Sequence, residues 1–143
     1  MANRQFIDDL INEALSLSRS ERNDEGYQLT GKLYYAFKKS VDDNTASDLL
    51  YTTAGVFLKA SNEHQVSESV YDFLASAFGV NLSYDQFLDS MNRHLTEYKY
   101  DLFRNAIDRF SDEEYHALCL FGCLIYVCDG YVTSAERELL YSF

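Results

Sequence analysis

The chain has 143 residues, no proline, 6 glycines and a formal charge of -11, with 47% hydrophobic and 24% charged residues. That length suits one domain able to bury a core without disulfides or a structural metal, and the composition is not that of a disordered chain. The acidity argues against a nucleic-acid ligand, since binding phosphates draws on Lys and Arg; missing Pro and scarce Gly favour uninterrupted helices.

Phe6, Ile7, Leu10, Ile11, Ala14 and Leu15 recur at helical spacing, with Asp8, Asp9, Asn12 and Glu13 on the other side, and predict a first amphipathic helix. The polar stretch Ser18 to Gly26 reads as a loop or a frayed helix end. A second helix follows through Leu29, Leu33, Tyr34, Phe37 and Val41, its start weakened by Thr30 and Gly31. A third runs from near Thr45, with Leu49, Leu50, Thr53, Phe57 and Ala60 on one face and Thr45 or Ser47 as N-cap. Val70, Phe73, Leu74, Ala77 and Phe78 make a fourth, stopped by Gly79.

Two capping boxes, in which a hydroxyl and an acid or amide satisfy each other's free N–H groups, start helices at Ser83 to Gln86 and Ser111 to Glu114. Tyr84, Phe87, Leu88, Met91 and Leu95 face inward on the fifth helix; Leu102, Phe103, Ala106, Ile107 and Phe110 do so on the sixth, with Thr96 to Tyr100 ambiguous between them. The seventh is apolar on every side from Ala117 to Cys128, which a surface helix does not tolerate. The prediction is an all-α single domain over 1–143, a bundle of about seven or eight helices around a buried central helix at about 114–128.

Cys119, Cys123 and Cys128 are odd in number and share one apolar run, so they read as reduced core thiols and point to a reducing, cytoplasmic setting. The start MANRQFIDDL meets acids before an apolar signal segment forms, and the apolar run is short of the roughly 20 residues a bilayer demands. No membrane insertion is expected. Acids concentrate toward the C-terminus: residues 61–143 hold 14 against 5 bases, residues 1–60 hold 9 against 7.

A degenerate helix-turn-helix repeat joins about 49–78 to 115–143. Residues 63–70 (EHQVSESV) set against 129–136 (DGYVTSAE), and Phe73-Leu74 then falls on Leu139-Leu140. In the second copy Gly130 can take positive φ where the buried helix ends, Val132 plugs the turn into the core, and Thr133 with Glu136 makes a third capping box. Asp129 is left with its carboxylate free.

At these residues the sequence resembles the TerB-like family, named for tellurite resistance, whose members carry an acidic Asp-Gly turn and a following Glu after an apolar helix, commonly twice. CDGYVTSAE, from Cys128 to Glu136, carries the match, and the resemblance extends over roughly Leu49 to the C-terminus. The first copy departs from the pattern: Glu63-His64 stand for Asp-Gly and Val70 for the later acid, with Glu68 as a substitute. The chain also stops at Phe143, sooner after the motif than the family's last helix does. The resemblance implies an all-helical bacterial stress-response protein with a clustered acidic surface that binds metal ions or protein partners, and it transfers Asp129, Gly130 and Glu136 as motif residues.

Asp129 and Glu136, with Glu63 and Glu68 more weakly, therefore have two readings. They can share a hard cation such as Ca²⁺ or Mg²⁺, or Glu136 can close a cap while Asp129 hydrogen-bonds the turn. His116, Cys119 and Cys123 lie along one helix face and read as packing in preference to soft-metal ligands. No nucleophile motif gathers around His64, His94 or His116, and no Gly-rich phosphate loop occurs, so no enzyme is expected. Tyr98, Tyr100 and Tyr131 suit either an interface or core edges with buried rings and wet hydroxyls. The functional expectation is a binding module acting through the acidic turn on a divalent cation or, in preference, a protein. The alternative is a small acidic inhibitor or immunity-type protein that blocks a basic partner such as a nuclease.

Overall fold

The computed structural model describes residues 4–60, 67–79, 81 and 83–143. Among them are eight helices and no strand: α1 (Arg4–Leu15), α2 (Arg19–Lys38), α3 (Asp43–Ala60), α4 (Glu68–Phe78), α5 (Tyr84–His94), α6 (Glu97–Ile107), α7 (Asp112–Val127) and α8 (Ser134–Ser142). The fold is an all-α single-domain bundle. No helix among the described residues is long and apolar enough to cross a membrane.

The core forms around α7, in which every residue from Ala117 to Val127 is buried. Helices α1, α2, α3, α4 and α8 all pack on it, and five phenylalanines, Phe37, Phe57, Phe87, Phe103 and Phe121, are fully enclosed. Close approach to α7 is made possible by Gly122, where an added Cβ would lie 2.5 Å from the Phe57 ring. Gly26 does the same where α2 meets α4, since a Cβ there would lie 2.7 Å from Phe73.

Sequence and structure part company at three helix starts. Ser18 to Gly26 is neither loop nor frayed end; it is largely the first turns of α2, closed by a capping box between Ser18 and Glu21. The polar run is helical because Gly26 sits against Phe73, while Arg19, Ser20, Glu21 and Asp24 face water and Arg22, Asn23 and Glu25 are half-buried. Thr45 and Ser47 do not cap α3 and instead lie inside it, because Asp42 accepts the Thr45 N–H at 2.8 Å and starts the helix earlier. The ambiguous Thr96 to Tyr100 is the start of α6, with the Thr96 hydroxyl accepting from the Lys99 N–H.

In the register that sets 63–70 against 129–136, Ser67 falls on Thr133, and each is the N-cap of its helix. Leu74 and Leu140 also coincide, and both are fully buried. The copies differ at the third helical residue. Val70 cannot return a side-chain hydrogen bond to Ser67, whereas Glu136 returns one to Thr133.

Candidate functional site

The end of α7 fixes the site. Tyr126 is buried and donates its hydroxyl to the Phe57 carbonyl at 2.6 Å, locking α7 to α3 one residue before the helix stops. Cys128 donates its thiol to the Leu124 carbonyl at 3.1 Å. Gly130 then takes φ +89°, a region open to glycine, and its N–H reaches the Val127 carbonyl at 2.9 Å. The chain reverses, Val132 packs against the core, and Thr133 starts α8.

The two motif carboxylates have separate duties. Glu136 is 7% exposed, and its Oε1 accepts the Thr133 N–H at 2.8 Å while the Thr133 hydroxyl accepts the Glu136 N–H at 3.2 Å. Its capping role holds it away from the acidic surface. Asp129 stays exposed and accepts a hydrogen bond from the Ser67 hydroxyl at 2.8 Å. The same Ser67 oxygen accepts the Val70 N–H at 3.2 Å, so the carboxylate sits beyond the start of α4, where the helix dipole favours negative charge. Glu68 is exposed in the first turn of α4. Glu63 lies outside the described residues.

Among the described residues Asp129 and Glu136 thus share no hydrogen-bond partner. Among the described residues no three His, Cys, Asp or Glu side chains are grouped to hold a metal ion. Along α7, Cys119 and Cys123 are buried free thiols and the His116 ring lies 5.7 Å from that of Phe6. Burial pushes Cys119 up to about 11 and Cys123 higher still. Both therefore remain protonated at neutral pH, whereas a soft metal binds the thiolate.

Tyr98 and Tyr131 are 69% and 64% exposed, so for them the reading of a buried ring with a wet hydroxyl does not hold. Tyr131 brings an aromatic surface two residues from Asp129.

One cluster had no counterpart in the sequence reading. His94 Nε2 lies 3.5 Å from Asp48, whose other oxygen holds the Lys99 ammonium at 2.8 Å, and the Thr52 hydroxyl donates to the His94 carbonyl at 2.6 Å. Burial lowers the His94 pKa, with Lys99 and Arg93 acting in the same direction and Asp48 opposing them. Asp48 and His94 sit on different helices, so no short motif announces the pair. Beside it, a surface cleft of about 470 Å³ opens between Val56, Leu95, Glu97, Tyr100 and Leu139. No carboxylate of the Asp129 turn lines it.

Comparison of the chain with protein-family models, curated proteins and solved structures returns no match.

Proposed function

We infer that this chain is a helical binding module that presents the acidic end formed by Asp129, Glu68 and Tyr131 to a protein partner. This is the role implied by the resemblance of residues 128–136 to TerB-like stress-response proteins. The observation that carries it is the hydrogen bond from Ser67 to Asp129. It ties the start of α4 to the turn after α7, 62 residues along the chain, and leaves an anchored carboxylate in solvent, with Glu68 exposed beside Ser67 and Tyr131 exposed two residues past Asp129. Fixed charge beside an exposed aromatic suits recognition of a basic protein surface.

A protein is favoured over a cation because Ca²⁺ takes six or more oxygens, and Glu136 is already engaged by Thr133. The test has two arms. Capture from native cell extract by the wild-type chain is compared with capture by Asp129→Lys combined with Glu68→Lys; a partner retained by the first and lost by the second is the expected result. Equal capture by both overturns the reading. In parallel, melting is followed with Ca²⁺, Mg²⁺ or Zn²⁺, where saturation at about 100 times Kd would add about 2.7 kcal/mol. A rise abolished by Asp129→Asn would replace the protein partner with an ion.

The charge of -11 favours a second reading as an acidic inhibitor of a basic protein such as a nuclease. Asp112 and Glu113, exposed at the start of α7 and so at the other end of that helix from Asp129, would supply a separate anionic face. Capture that weakens steeply as salt rises, and that survives the Asp129 and Glu68 substitutions, selects this reading over the first.

A further inference from the structure

The outer face of α2 has a feature that packing within the chain does not explain. Gly31 lies in the middle of this 20-residue helix, is exposed, and has no positive φ; a Cβ built on it would meet no atom within 4 Å. Nothing in the monomer calls for glycine there, although glycine destabilises a helix interior relative to alanine. On the same stripe, four residues to either side, stand Tyr27 and Tyr35, 63% and 69% exposed. Seven residues to either side stand Asp24 and Lys38. Asp24 pairs with no cation among the described residues, and Lys38 reaches Asp43 at 3.1 Å from a half-exposed position.

These five positions, at -7, -4, 0, +4 and +7 from Gly31, fall within about 40° of one line along the helix. The buried residues Gly26, Leu29, Thr30, Leu33, Ala36 and Phe37 occupy the opposite side. The order acid, tyrosine, glycine, tyrosine, base is aromatic at both inner positions and opposite in charge at the outer two. A twofold axis at Gly31 that sets a second α2 antiparallel on the first places Tyr27 beside the other chain's Tyr35 and Asp24 level with its Lys38. Both pairs then occur twice, the reciprocity a twofold interface requires. The bare glycines meet at the crossing, where the absence of side chains lets the two helices approach closely.

We propose that α2 is a self-association surface on which two copies of this chain pair antiparallel across Gly31. Charge complementarity selects a second copy as the occupant. A parallel pairing would set Asp24 on Asp24 and Lys38 on Lys38, whereas the antiparallel one sets each of these two opposite its counter-charge. The net acidity of each copy does not prevent it, because at physiological ionic strength charges beyond about 8 Å are largely screened. One helix pair is a small interface, so the dimer belongs to the weak class.

Sedimentation velocity on the full chain, from about 5 µM to about 500 µM to span weak association, is expected to show the 16.5 kDa species giving way to one of twice that mass. Gly31→Glu places a charge at the crossing and is expected to raise Kd at least about tenfold; circular dichroism checks that the exposed substitution leaves the helices intact. Asp24→Lys and Lys38→Asp are each expected to weaken pairing alone, and an equimolar mixture of the two variants to associate better than either, because both cross-chain pairs become opposite in sign. A chain that stays monomeric throughout the range overturns the proposal. So does a dimer indifferent to Gly31→Glu, which would place the contact elsewhere, and so does a foreign protein, not a second copy, held on the Tyr27 and Tyr35 face.

Discussion

A Cβ added to Gly122 in α7 would come within 2.5 Å of the Phe57 ring, whereas one added to Gly31 in α2 would meet nothing within 4 Å. Both glycines are helical and neither has a positive φ, so backbone conformation does not separate them. Their surroundings do. Around Gly122 the missing side chain is replaced by a ring from α3, and that ring is further held by an edge contact with Tyr126, centroids 5.9 Å apart. Around Gly31 the space belongs to solvent. A glycine whose absent side chain is filled by a neighbour serves the core, and one whose space stays open needs an explanation outside the monomer.

The largest break in this comparison comes from removing the ring that fills the first space. Phe57 is fully buried against α7 and α8, so Phe57→Ala is expected to destabilise by about 3–5 kcal/mol in urea unfolding. A loss below about 1 kcal/mol would show that the region collapses around the cavity and that the α3–α7 contact is not the centre of the core. Gly122→Ala attacks the same contact from the other side. Its methyl would overlap the Phe57 ring, and an expected loss of about 1–3 kcal/mol reflects the shift the ring must make. Were Gly122→Ala neutral, Phe57 would have room to move and the two sites would differ less than the structure shows.

The sequence exposed the first region far better than the second. An apolar run on every side of a helix has no explanation but burial, and Ser83, Ser111 and Thr133 announced their helices because hydroxyl and partner lie three residues apart. The same signature stands at Ser18 and Glu21, but the polarity of the residues after it and Gly26 point to a loop, and the reason for that glycine, the Phe73 ring, lies far along the chain. At the candidate site the turn, the positive φ of Gly130 and the Glu136 cap were local and legible. That Ser67 binds Asp129 was not, since the two approach only when α4 and α7 pack. Burial of Glu136 likewise depends on how α8 lies against its neighbours, which periodicity alone does not report. Tyr27 and Tyr35 carry no such local signal, because tyrosine suits both core edges and surfaces.

The smallest effect is the most discriminating, because its sign is opposite. Gly31→Ala adds a methyl where there is open space and removes backbone freedom from the unfolded chain, so the monomer is expected to gain about 0.5–1 kcal/mol. At about 5 µM, below the range of a weak dimer, that corresponds to a melting temperature higher by about 2–4 °C. A substitution that stabilises the monomer removes any stability argument for glycine at this position. A fall in melting temperature at that dilution would mean instead that the backbone of α2 relies on Gly31 within a single chain, and the contrast with Gly122 would be one of degree.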